Sequence, residues 1–272
     1  MAKKDITKQY ATCIGCKTKY QVSELQKIES KNKGYRYICE DCTTRLYGYC
    51  DENHTLAHEE KVRQMTLSFE YEQGSRCLES NILYDYGFIP TSDCTVYVEW
   101  KSPIYRSLCG IQKQLRTMEE FDDTDYSCGT HLNVGCNNRE DVRIDLIRRH
   151  YNTLFLPLQA HMTQSAVNQN LIFGRQIGGQ WARYIDTNYC EDHCNWVNVQ
   201  HNTHLELRVA KFINAEQYMA LIRWWTETVE WIVKEFNTKC TGNTTRQQDS
   251  KLAEKTALKL IAIFEKHFPT QH

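Results

Sequence analysis

The sequence predicts an α+β protein with a small N-terminal metal module, and three observations carry that expectation. Several short stretches alternate polar and apolar residues with the period of two that marks a β-strand. Longer stretches place apolar residues three and four apart, the spacing of an amphipathic helix. Two Cys-x2-Cys pairs fall within the first 50 residues.

The chain has 272 residues, enough for one large domain with a small appendage. Mean hydropathy is −0.63, and no apolar run approaches the length of a membrane span. The start, Met1 to Asp5, lacks the apolar core of a signal peptide. A cytoplasmic location without a membrane partner is therefore expected. The chain holds 13 cysteines. An odd count without a signal peptide favours metal binding over disulfides for the paired ones. Residues 1–50 hold ten Lys/Arg and five Asp/Glu, whereas the whole chain has a net charge of −1. A basic head on an acidic body suggests two modules with different partners.

Cys13-Ile14-Gly15-Cys16 and, after 22 residues, Cys39-Glu40-Asp41-Cys42 form two knuckles. Zinc takes four tetrahedral thiolates, and each knuckle supplies two from one tight turn. Cys13, Cys16, Cys39 and Cys42 are the expected structural zinc ligands of a ribbon over residues 1–50. A module this small cannot bury enough apolar surface to fold unaided. Zinc would contribute roughly 10–16 kcal/mol, as in other small zinc modules. Tyr20-Gln21-Val22 reads as the strand leaving the first knuckle, and Tyr35 to Ile38 as the strand entering the second. The basic surplus suits a nucleic-acid or a protein partner. Cys50, His54 and His58 read as linker residues, with residues 51–64 as the linker.

From Met65 to Glu72 the pattern is a strand with Leu67, Phe69 and Tyr71 on one face and Ser68, Glu70 and Glu72 on the other. Around Asp93 and Glu99, Val98 and Trp100 oppose Tyr97 and Glu99, and Ser102-Pro103 stops the strand. Ile104, Leu108, Ile111, Leu115 and Met118 predict a helix over 104–120. His131 and Asn133 share a face of the strand around 126–136. A Cys128–His131 nucleophilic pair is the alternative there, disfavoured because a catalytic thiol usually sits at a helix start. Residues 139–173 read as helical, followed by a glycine-containing loop that is neither a dinucleotide nor a Walker loop. Cys190, His193 and Cys194 are too crowded for a strong metal signal. Asn202 to Val209 is a strand with Glu206 and Arg208 on one face. Asn214 caps a helix with Gln217 at the capping-box position. That helix buries Tyr218, Leu221, Ile222, Trp225, Val229, Ile232, Val233 and Phe236. A polar loop over 238–250 precedes a last helix carrying Leu252, Leu258, Ile261, Phe264 and Phe268. The ligase-like unit is assigned to residues 65–240, and a C-terminal loop and helix to 241–272.

The order of these motifs resembles the amidoligase family of the carboxylate–amine ligase superfamily, which also holds glutamine synthetase and the glutamate–cysteine ligases. Its members show an E-x-E strand, an acidic strand ending in E-x-x-S-P, then C-G-x-H-x-H, an arginine, and T-x-E-x-R. In this chain the matching residues are Glu70 and Glu72; Asp93 with Glu99 to Pro103; Cys128 to His131; Arg175; and Thr203 to Arg208. The match runs over roughly residues 65–236 and leaves the cysteine module outside. Asn133 stands where the family has its second histidine; it can donate a hydrogen bond but carries no positive charge.

The resemblance implies a curved, mainly antiparallel sheet with helices on one face. It implies ATP-dependent amide formation, with a carboxylate and an amine, free or on a peptide or protein, as substrates. Glu70, Glu72, Glu99, His131 and Glu206 become the expected Mg²⁺ ligands, since Mg²⁺ wants hard oxygen donors. Asp93 would hold metal through water or bind the amine. Arg175, Asn133 and Arg208 would face the nucleotide, with the two arginines clamping phosphate or substrate carboxylate. Two other readings compete: an adaptor or nucleic-acid-binding protein whose ribbon is the active part, and a metal-dependent nuclease, which the motif order disfavours.

Overall fold

The computed structural model describes residues 10–13, 17–29, 35–39, 65–74, 83, 87–91, 96–105, 111–119, 128–136, 139–164, 168–185, 193–240 and 244–269. In the N-terminal segment, β1 (Tyr10–Thr12) pairs antiparallel with β2 (Lys19–Gln21), and β3 (Leu25–Glu29) pairs antiparallel with β4 (Tyr35–Cys39). A bridge from Cys13 to Tyr37 ties the two hairpins together. Strands β2 and β4 fall at the two expected knuckle strands, except that Val22 opens a 3-10 turn over Val22–Glu24 instead of continuing β2. The linker over 51–64 lies outside the described residues.

The main unit is built on a six-stranded antiparallel sheet. Its strands are β5 (Met65–Gln73), β6 (Ile89–Thr91), β7 (Val98–Lys101), β8 (Thr130–Cys136), β9 (Val197–Asn198) and β10 (His204–Leu207), in the order β6-β7-β5-β8-β10-β9. Strands that are remote in the chain thus lie side by side at the centre: β5 pairs with β8, and β8 with β10. Directly paired residues share a face. Ser102-Pro103 ends β7 in a specific way. The Ser102 hydroxyl accepts from the Phe69 amide at 2.8 Å and donates to the Pro103 carbonyl at 2.9 Å.

One sheet face is apolar and buried, carrying Leu67, Phe69, Tyr71, Trp100, Leu132, Val134, Leu205 and Leu207. Six α-helices are described: α1 (Ile111–Glu119), α2 (Ile144–Arg149), α3 (Tyr151–Gln164), α4 (Gln169–Phe173), α5 (Ala215–Trp231) and α6 (Arg246–His267). Helix α5 lies against the apolar face. Tyr218 reaches the Thr130 carbonyl at 2.8 Å and packs edge-on to Phe69, and Trp225 sits under Leu205. Its other side meets α6 through Trp224 and Phe264, so α5 is buried on two sides. None of the helices is long and apolar enough to cross a membrane.

Three expectations are corrected. Of the helix placed over 104–120, Ile111–Glu119 is helical, whereas Tyr105 exchanges two backbone hydrogen bonds with Leu67 and extends the sheet instead; residues 106–110 lie outside the described residues. The segment 139–173 is not continuous: a 3-10 turn over Arg139–Val142 and the left-handed Arg143 precede α2, and α3 and α4 are separate. Arg143 is held there by its guanidinium on the Asn237 and Cys240 carbonyls. Finally, α6 begins at Arg246, inside the expected loop, with Thr245 and Gln248 forming a reciprocal capping box. Asn214 caps α5 as expected by accepting from the Gln217 amide, but Gln217 turns its side chain to the Ile172 carbonyl instead of closing a box. Helix α5 continues into a π turn over Ile232–Asn237.

Candidate metal centre

The second sheet face is polar. Reading across the strands, Lys101, Glu70 and His131 form one row, and Glu99 and Glu72 a second. Ser68, Asn133, Glu206 and Asn198 form a third. Strand parity placed each of these side chains on its face; the pairing register aligns the rows.

At the centre, one ligand atom each from Glu70, His131 and Glu206 lies within 4.8 Å of the others. The His131 Nδ1 is 3.1 Å from Glu206 Oε1 and 3.6 Å from Glu70 Oε2, yet it makes a regular hydrogen bond to neither. Its Nε2 faces Glu72 Oε1 at 3.6 Å. The imidazole is thus turned toward carboxylates on both sides. Burial opposes the charged imidazolium, but the Glu206 and Glu70 carboxylates outweigh it and lift the His131 pKa to about 9.

Glu206 is the most buried of these carboxylates, at 1% exposure. Its Oε1 pairs with Arg208 at 2.9 Å. Its Oε2 accepts from Asn198 Nδ2 at 2.6 Å and lies 3.2 Å from His201 Nε2. Burial alone would raise the Glu206 pKa; His131, His201 and Arg208 reverse that and hold it well below the usual carboxylate range. The Glu70 carboxyl is lowered for a similar reason, with His131 and Lys101 overcoming burial and the nearby Glu206.

The remaining expected residues surround this centre. Glu72 Oε2 accepts from the Gly129 amide, and the Glu72 amide donates to the Gly129 carbonyl at 3.1 Å. Glu99 is fixed by Thr91 at 2.9 Å and by Lys101 at 3.3 Å. Glu72 and Glu99 therefore share the face but stand outside the Glu70–His131–Glu206 cluster. Asn133 donates to Glu70 Oε1 at 3.3 Å. Arg208 lies one residue past the end of β10 yet still reaches the site. Arg175 follows the left-handed Gly174 that caps α4, and donates to the Cys128 carbonyl. A Cβ at Gly129 would lie 2.7 Å from His131 Nε2 and 2.9 Å from Arg175 Nη2, so only glycine lets both side chains come this close. Asp93 lies outside the described residues.

Sequence reasoning missed Lys101, Asn198, His201 and Gly129 as site residues. Gly129 and Lys101 lie inside the Cys128–His131 and Glu99–Pro103 motifs, but nothing local in the sequence marks their roles. Asn198 enters because it pairs with Glu206 across β9 and β10. His201 enters through the hairpin between them, where it stacks on His204 with ring centroids 4.3 Å apart.

In the N-terminal segment, Cys13 and Cys39 are buried with their sulfurs 3.6 Å apart. The Cys39 amide donates to Cys13 Sγ at 3.4 Å. Cys16 and Cys42 lie outside the described residues, as do Cys50, His54, His58 and Cys190. His193 Nε2 and Cys194 Sγ are 3.4 Å apart.

Comparison with family models and with curated proteins returns no match for this chain.

Proposed function

We propose that this protein is an ATP- and Mg²⁺-dependent carboxylate–amine ligase of the amidoligase type, with its site on the polar sheet face. The observation that supports it most is the Glu70–His131–Glu206 cluster flanked by Arg208 and Arg175. Lys101, Arg208 and His131 already offset the repulsion among the carboxylates of adjacent strands, so the case for a metal rests on the donor set. Two carboxylate donors and an imidazole suit a divalent cation with hard to borderline preferences. The buried His131 Nδ1, close to two carboxylates without an aligned hydrogen bond, is the atom such an ion would take up, displacing the proton that the carboxylates otherwise hold on the imidazole. Glu70, His131 and Glu206 would hold it, and when bound it would neutralise phosphate charge.

The reaction needs a carboxylate made electrophilic. A substrate carboxylate oxygen attacks the γ-phosphorus of ATP, the bond to the β-phosphate oxygen breaks, and ADP leaves. The amine nitrogen then attacks the acyl carbon of the acyl phosphate, inorganic phosphate departs, and the nitrogen loses a proton. Phosphoryl transfer of this kind depends on positioning and charge stabilisation. Arg208, fixed by Glu206, and Arg175, fixed by the Cys128 carbonyl, present guanidinium groups suited to phosphate or carboxylate oxygens. Asn133 orients Glu70 without adding charge.

The N-terminal segment is proposed to be a zinc ribbon with a protein or nucleic-acid partner. Two thiolates at about 2.3 Å from one tetrahedral zinc lie about 3.8 Å apart, close to the Cys13–Cys39 separation. Metal analysis of the purified chain should find zinc, and Cys13→Ser should release it.

Calorimetry with ATP, with and without Mg²⁺, tests the ligase reading on the wild type and on Glu206→Gln. Magnesium-dependent binding that the variant loses is the expected result, accompanied by ADP release when carboxylate and amine mixtures are supplied. Equal binding by both proteins would remove the nucleotide from this face. Salt-sensitive affinity for DNA or RNA without ATP binding would point to the adaptor instead.

A further inference from the structure

We infer that Lys101 is a resident second cation of this site, so that the centre takes a single divalent ion where its carboxylates are laid out for two. This rests on the metal centre proposed above and assigns a role to a residue outside its ligand set.

The layout is carried by Glu70. Its Oε2 faces His131 Nδ1 at 3.6 Å, within the cluster that includes Glu206. Its Oε1 faces the other way, 3.6 Å from Lys101 Nζ and 3.3 Å from Asn133 Nδ2. Glu99 Oε1 closes the second position at 3.3 Å from the same Nζ. A carboxylate that gives one oxygen to each of two neighbouring cations is what joins the ions of a two-metal centre, which are about 3.5–4 Å apart. Here the second position holds an ammonium tethered to β7, directly opposite Glu70 in the register.

Charge argues the same way. Among the described residues, and with the His131 imidazole neutral as a ligand to the ion, Glu70, Glu72, Glu99 and Glu206 face Lys101, Arg175 and Arg208 at this site, with the His201 imidazole beside Glu206. One divalent ion turns that small deficit into a small surplus, enough to attract anionic reactants. A second ion beside Lys101 would set like charges within about 4 Å of each other, a costly arrangement at the edge of a protein interior. The Lys101 side chain is 49% exposed, so a phosphoryl or carboxylate oxygen can reach it from solvent. An ammonium donates hydrogen bonds to such an oxygen as a point charge.

The test is Mn²⁺ titration of the full zinc-loaded chain, followed by calorimetry and by electron paramagnetic resonance. Wild type should bind a single Mn²⁺ equivalent with an uncoupled signal. Lys101→Met should gain a second, weaker equivalent and show a spin-coupled pair. Lys101→Arg, which keeps the charge, should stay at one. A second equivalent on wild type, or a single one on Lys101→Met with unchanged affinity, overturns the inference and leaves the metal centre standing. No Mn²⁺ on wild type removes the metal centre and the inference together.

Discussion

Glu206 shows how one residue ties the site together. Its two oxygens meet His131, Arg208, Asn198 and His201, with the carboxylate itself buried and His201 reaching it from the half-exposed rim. Removing the carboxylate outright would leave buried positive groups without partners, which is strongly destabilising. Glu206→Gln keeps the shape and should cost roughly 1–3 kcal/mol of stability, while metal binding is lost. Urea melts run beside the metal titration separate those effects; retained metal affinity in the folded variant would sink the ligand assignment. Gly129 is the complementary case. Gly129→Ala adds a single methyl that must displace His131 or Arg175. The fold should survive, and metal affinity should fall on the order of 10–100-fold, as when groups that orient ligands are lost. An unchanged affinity would mean that His131 does not need its observed position.

At the scale of elements, the helices were legible where their ends carry capping residues and illegible where packing overrides periodicity. The apolar stripe of α6 starts at Leu252, so its polar first turn looked like loop. Thr245 and Gln248 nevertheless close the capping box that starts it. Thr245→Ala should cost about 1 kcal/mol, read from the shift of the denaturation midpoint at constant m-value. Ile104 and Leu108 had helical spacing, yet Tyr105 is fixed in the sheet by Leu67, and long-range pairing wins over a local period. Helix α5 carries a second lesson. Its stripe was read around Trp225, but Trp224 is equally buried because Phe173, Phe264 and Phe268 enclose it. Trp224→Ala should therefore cost about 3–5 kcal/mol, loosening α4, α5 and α6 together. A loss near 1 kcal/mol would show that this aromatic cluster is less consolidated than its contacts imply.

At the scale of the whole molecule, the described residues fall unevenly around one core. The continuous apolar core runs from Met65 to Phe264, while the buried Cys13, Ile38 and Cys39 belong to none of it. Chelation should expose the Cys13 and Cys39 thiols to alkylation yet leave the unfolding midpoint of the sheet unit unchanged. A common midpoint shift would mean that the N-terminal segment and the sheet unfold together. In the main unit, burial pushes the Cys136 thiol up to about 12 and, joined by Asp249, does the same to Cys240. Ordinary thiols ionise near 9, so between pH 9 and 12 the unfolded chain releases protons that the folded chain retains. Stability should be unaffected by these thiols below pH 9 and should fall as pH rises from 9 to 12. Cys136→Ser with Cys240→Ser should flatten that decline, as followed by circular dichroism across pH.

The alternation of Glu70, Glu72, Glu99, His131, Asn133 and Glu206 with apolar neighbours could be read from the chain alone, because strand parity is local: a residue two positions on returns to the same face. The α+β composition, the Asn214 helix and the knuckle spacing were legible for the same reason. Strand order was not, because β5, β8 and β10 are far apart in the chain and their adjacency depends on which apolar faces bury together. With that adjacency come the contacts that local pattern could not show: Lys101 between Glu70 and Glu99, Asn198 and His201 on Glu206, and Gly129 under His131. Side-chain type and face are properties of neighbouring residues along the chain, whereas a site is a property of register between strands, and register is set by the core.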